Sequence, residues 1–123
     1  MSVEPFQARA RSEPPLAVID LNGEINGNAE EQLNRAYEEA INHDLRAIAL
    51  NFNGVSYINS TGIALIVSIL ARARRDDIPL LTYGLSPHYL EIFEITRLID
   101  FLRVVPDEEA AIGSVDHIEQ KVM

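Results

Sequence analysis

The residues best placed to do chemistry are Asn59-Ser60-Thr61-Gly62, inside the stretch LNFNGVSYINSTGIALIVSIL from Leu50 to Leu70. A short apolar strand ends there in a polar turn, and an almost wholly apolar helix follows at once. That order sets the Ser60 hydroxyl at a helix mouth, where unpaired backbone N–H groups and the positive end of the dipole favour negative charge. No His–acid pair stands near Ser60 in sequence to activate it as a nucleophile. The pattern points to a hydroxyl that is modified or bound by a partner, not one that attacks a substrate. The competing structural reading is that Ser60 caps the helix, since Ser is a strong N-cap residue. Gly62 reads as geometry: without a Cβ it lets a strand or a partner's backbone come close.

Other chemistries find little footing. His43, His88 and His117 are scattered without ligand spacing, so no metal site is expected. The glycines are isolated and no Gly-Lys-Ser/Thr occurs, so neither a phosphate cradle nor a cofactor is expected. Tyr37, Tyr57, Tyr83 and Tyr89 are dispersed and read as core edges. Arg72, Arg74 and Arg75 gather at the end of the apolar helix, where cations complement the dipole. The formal charge of −9 argues against a nucleic-acid partner, whose phosphates need basic patches. Absence of cysteine removes disulfides, thiol catalysis and Cys-ligated zinc. The N-terminus lacks the order of a signal peptide, and no apolar run approaches the roughly 20 residues that span a bilayer. A cytoplasmic protein with no membrane insertion is the expectation.

The elements around the turn can be read from periodicity. Phe6, Ala8 and Ala10 alternate with polar residues as in an edge strand, broken by Pro14-Pro15. Leu16 to Leu21 and Leu45 to Phe52 read as buried strands, and Asn22-Gly23 as a bulge or turn leading into a helix. Asn28 with Glu31 has capping-box spacing for a helix whose inner stripe is Leu33, Ala36, Tyr37, Ala40 and Ile41. A second helix is predicted from about Thr61 to Arg75, with more apolar residues than one buried stripe requires. One or two of Ile63, Ile66, Val67 and Leu70 are therefore expected at the surface as a partner patch. Pro79 to Tyr83 reads as a strand, Ser86-Pro87 opens a third helix, Phe101 to Val105 is a last strand, and Asp107 caps a last helix that Gly113 interrupts. Alternating strands and helices imply an α/β fold: one mixed, mostly parallel sheet of about five strands with about four helices beside it. All 123 residues are read as one domain, with a core over about 5–113 and an ambiguous tail over 114–123.

Val55, Ile58, Asn59, Ser60, Thr61, Gly62, Ile63 and Leu65, with the upstream turn Leu21-Asn22-Gly23-Glu24-Ile25-Asn26, resemble the STAS domain family, whose members include the anti-sigma-factor antagonists. The order of elements fits over roughly 5–113. The resemblance implies a non-enzymatic regulator that binds an anti-sigma factor of the histidine-kinase-like ATPase type. It places Ser60 at the family's phosphorylated position, with Thr61 as runner-up acceptor and a phosphatase to reverse the modification. The implied partner surface comprises Asn26, Asn59, Ser60, Thr61, Gly62, Ile63 and Ile66. Family members commonly carry aspartates where this chain has Asn26, Asn51 and Asn59, changes that keep shape and remove charge. Stand-alone STAS domains also resemble this chain as cytoplasmic accessories of lipid-transport ATPases, which is the alternative function.

Overall fold

A computed structural model of the chain describes residues 5–41 and 45–122, with side-chain surroundings described through residue 115. Five strands form one sheet in the order β1-β2-β3-β4-β5: Gln7–Glu13, Leu16–Ile25, Ala47–Ile58, Leu80–Tyr83 and Arg103–Val104. β1 runs antiparallel to β2, and the later pairs are all parallel. The crossovers carry helices α1 (Glu30–Ile41), α2 (Ser60–Arg75) and α3 (Pro87–Ile95), and α4 (Glu108–Val122) follows β5. Right-handed crossovers that step always in one direction leave their helices on one face of a sheet. That is what the packing shows: α1, α2 and α3 share a core with Ala17, Ile19 and Leu21 of β2 and Ile48, Leu50 and Phe52 of β3. The opposite face, Leu16, Val18, Ala47, Ala49, Leu81 and Tyr83, is covered by Ala111 and Val115 of α4. Strands buried on both sides explain the unbroken apolar runs at Leu16–Ile19 and Ala47–Leu50.

Several boundaries differ from the sequence reading: β2 runs on through Asn22-Gly23 to Ile25, and the last strand keeps only Arg103–Val104 of the expected Phe101 to Val105. β3 continues past Phe52 to Ile58 because Gly54 and Val55 pair with Asn22 and Gly23 beyond a register shift in the β2–β3 ladder. The chain enters α1 through a single 3₁₀ turn, Gly27–Ala29, capped by Asn26; Asn28 is not the cap but donates its N–H to Asn26 Oδ1 at 2.9 Å. Gly113 does not stop α4, which runs on to Val122 through residues left ambiguous by the sequence. The predicted Ser86 cap is present, accepting from Tyr89 N at 3.3 Å. His43 lies outside the described residues, as do the surroundings of His117.

A polar clasp ties α4 to its face. Arg11 donates from Nε to Asp20 Oδ2 at 2.7 Å and from Nη1 to Glu108 Oε2 at 3.1 Å, and also pairs with Glu13 and Glu108 Oε1. Tyr83 donates to Glu108 Oε1 at 2.8 Å, and Asn51 to Asp20 Oδ1 at 2.8 Å. Burial works against charge on Asp20, but the bonds from Arg11 and Asn51 hold its pKa below the ordinary 3.8. Arg11 holds Glu108 below its ordinary 4.5, against partial burial and with help from Tyr83. Carboxyls depressed in the folded state contribute stability that is complete above their unfolded values and lost as pH falls through the folded ones. Acid titration from neutral pH should therefore weaken the wild-type fold below about pH 4. An Arg11→Met protein should be about 1–2 kcal/mol less stable at neutral pH and show a shallower acid loss, a figure discounted because about a third of each side chain is exposed. Urea unfolding at neutral and acidic pH checks both; parallel pH profiles would remove the clasp from the account.

Candidate functional site

The mouth of α2 is built by two chain segments meeting at the ends of β2 and β3. Asn59 is extended (φ −91°, ψ −179°) and is the N-cap, its Oδ1 accepting from Gly62 N at 2.8 Å. A side-chain cap of this kind contributes about 1 kcal/mol. Ser60 is thus not the cap but the first helical residue, exposed, and its hydroxyl has no hydrogen-bond partner among the described residues. The first intrahelical bond is Ile63 N to Asn59 O at 2.9 Å. The amides of Ser60 and Thr61 precede it and add their positive ends to the helix dipole at this spot.

The seat of the mouth is backbone. Asn59 N donates to Ile25 O at 3.2 Å, joining the end of β3 to the end of β2. A Cβ on Gly62 would lie 2.1 Å from the same Ile25 O, so α2 rests on β2 at a distance only glycine permits. From the other side Ile58 N donates to Tyr89 Oη at 2.9 Å, so α3 also braces the strand just before the turn. The Gly27 turn completes the rim, its Cα facing Thr61 closely enough that an added Cβ would stand 3.6 Å from Thr61 Cγ2.

Of the residues expected at a partner surface, Asn26, Asn59, Ser60, Thr61 and Ile63 meet around this mouth at least partly exposed. Two are corrected. Ile66 is 2 % exposed and faces the core shared by α1 and the sheet, and Gly62 is covered by Ile25, so neither offers surface to a partner. Leu70 is buried likewise, while Val67 is 42 % exposed and carries the surplus apolar character of α2 to the outside. The three asparagines do not surround Ser60. Asn26 and Asn59 do, but Asn51 shares the parity of Ala47 and Ala49, faces away from α2 and serves the Arg11 clasp. Tyr57, read as a core edge, is 52 % exposed beside the mouth. Its signal was present in strand alternation, because buried Ile58 puts its neighbour on the outer side. Arg72 is committed to Glu38 at 2.7 Å and to the face of Tyr37, and Arg74 stands over Phe101.

No group of His, Cys, Asp or Glu among the described residues is arranged to hold a metal ion, and no described helix is long and apolar enough to cross a membrane. The fold and the site define a small α/β domain that presents a free serine at a capped helix mouth. The STAS domain family model matches residues 7–111, and the chain belongs to that family. An anti-sigma-B factor antagonist of Staphylococcus aureus is 30% identical over 86 residues, which are 70% of this chain and 80% of the relative. Among solved structures, the Bacillus cell fate determinant SpoIIAA in its phosphorylated form superposes with a TM-score of 0.66 at 24% identity, over 90% of this chain and 99% of that one. A sulfate transporter family protein from Wolinella succinogenes gives 0.74 at 16% identity, over 89% of this chain and 92% of that one. The two structural likenesses speak for the fold alone.

Proposed function

We propose that this protein is a non-enzymatic partner-switching regulator. In its unphosphorylated state it binds an anti-sigma factor of the histidine-kinase-like ATPase type through the α2 mouth, and so releases the factor's client. The partner then phosphorylates Ser60, the complex dissociates, and a phosphatase restores the free hydroxyl. The observation that carries this reading is the exposed, uncommitted Ser60 on a rim made of neutral Asn26 and Asn59. A phosphate there adds about −1.5 to −2 charges. It meets amide donors on its own chain and desolvation on the partner's side, so the modified serine is tolerated by the fold and rejected by the interface. The relatives named as antagonists support the same class of role.

Peptide mass spectrometry on protein isolated from native cells, growing and stressed, tests the reading. Phosphate on Ser60 with an occupancy that changes between conditions is the expected result. Ser60 unmodified throughout, with transporter subunits recovered as stable partners, would replace switching by the accessory role.

A further inference from the structure

The chain contains three Asn-Gly pairs, at 22–23, 26–27 and 53–54, and the structure separates them by what each glycine is for. Gly23 has φ +93°, and a Cβ there would lie 2.4 Å from Pro5 O. A Cβ on Gly54 would lie 1.8 Å from Asn22 Oδ1 and 3.0 Å from Leu21 O. Both positions demand glycine for packing. Gly27 does not: it is exposed, its φ lies outside the left-handed region, and its nearest neighbour would be Thr61 Cγ2 at 3.6 Å, an ordinary contact. What a glycine does at 27 is leave its amide nitrogen unshielded beside an asparagine.

We propose that Asn26-Gly27 is a site of spontaneous deamidation on the face that carries Ser60. The Gly27 nitrogen attacks Asn26 Cγ; the new N–C bond closes a five-membered succinimide, the Gly27 amide proton passes to solvent, and the side-chain amino group leaves as ammonia. Water then opens the ring at either carbonyl, giving aspartate or, with the main chain rerouted through the former side chain, isoaspartate. Only water is consumed. Three features of the corner favour the step. Asn28 N–H already donates to Asn26 Oδ1 at 2.9 Å, the oxygen that takes up negative charge in the tetrahedral intermediate. The ring closed by that bond contains the Gly27 nitrogen, which keeps Cγ beside its attacker. The first bond of the turn is Ala29 N to Asn26 O at 2.9 Å, so the Gly27 amide is not spent in the turn.

The other two pairs are held away from the reaction. Asn22 sits in the ladder between Gln7 of β1 and Gly54 of β3. The Asn53 side chain packs against Gly84, where an added Cβ would stand 2.8 Å from Asn53 Cγ. Ring closure at either requires strand pairs to open first.

Isoaspartate at 26 lengthens the main chain by one carbon between Ile25, which seats α2, and the turn that lines Thr61. It also adds one negative charge to the formal −9. Loss of partner binding as the protein ages follows, a consequence that rests on the partner-switching reading; the conversion itself does not. The test incubates the full chain alone in warm, mildly alkaline buffer and follows each Asn-Gly peptide by mass and by isoaspartate-resolving chromatography. Asn26 should convert at least about tenfold faster than Asn22 or Asn53, a barrier difference of about 1.4 kcal/mol. Gly27→Ala should slow that conversion at least about tenfold with the unfolding temperature unchanged. Conversion at Asn26 no faster than at Asn53, or unaffected by Gly27→Ala, overturns the assignment. Conversion as expected, with fresh and aged protein binding the partner equally, keeps the modification site and removes only its regulatory consequence.

Discussion

A Ser60→Asp protein should bind the proposed anti-sigma partner at least about a hundredfold more weakly than wild type, a loss of about 2.7 kcal/mol. Its fold should be untouched, because residue 60 is exposed and an acid in the first helical turn suits the dipole. The loss arises at the interface: a carboxylate held against a partner surface must shed water, and the flanking Asn26 and Asn59 supply no cation to pair with it. Ser60→Ala should keep full affinity and lose the ability to be switched. Calorimetry or surface binding with the partner, alongside circular dichroism, separates the two effects. Equal affinity for Ser60→Asp and wild type would take the α2 mouth out of the interface. Loss of affinity by Ser60→Ala as well would make the hydroxyl a direct contact and not a switch.

The second large effect is on the scaffold. Replacing Gly62 by Ala should destabilise the protein by about 3 kcal/mol, lowering the unfolding temperature by about 10 °C. On helix propensity alone the same change would stabilise by about 1 kcal/mol, so the sign itself is diagnostic. Propensity loses because the added Cβ would lie 2.1 Å from Ile25 O and 2.8 Å from Ile25 C, both backbone atoms. Ile25 cannot retreat without breaking its bond from Asn59 N. Gly113→Ala, in α4 with nothing within 4 Å of its Cβ, is the control and should gain the propensity term. Thermal unfolding of both variants decides it. A Gly62→Ala protein as stable as wild type would mean that α2 is not seated on β2 as tightly as the geometry has it.

The same glycine shows how local readings and tertiary contacts divide. Residue type at 62 was legible as a demand for close approach, but which surface approaches is a matter of where β2 ends. The apolar runs of β2, β3 and β4, the Ser86 cap and the helical stripe of α1 were legible because each depends on neighbours within a turn or a strand length. From them the α/β class and the mostly parallel sheet follow, since strands that alternate with helices imply crossover connections. The Asn59-Ser60-Thr61-Gly62 turn was legible for the same reason: strand end, cap and helix start are consecutive.

Long-range pairing decided the rest. The apolar run of β3 ends at Phe52, yet β2 carries the strand on by pairing with Gly54 and Val55, and Asn28 carries a cap signal that Asn26 overrides by reaching the turn first. Ile66 and Val67 are both apolar neighbours on one helix, and only the packing against the sheet and α1 buries the first and exposes the second. The Arg11 clasp joins residues 97 positions apart, and no local pattern encodes such a pair. By itself the sequence specified the elements, their order and the serine at the helix mouth, because propensity, capping and periodicity act over a few residues. Which of those residues face one another, and hence which side of the molecule can meet a partner, waited on the folded chain, because burial is a property of the whole sheet and its layers.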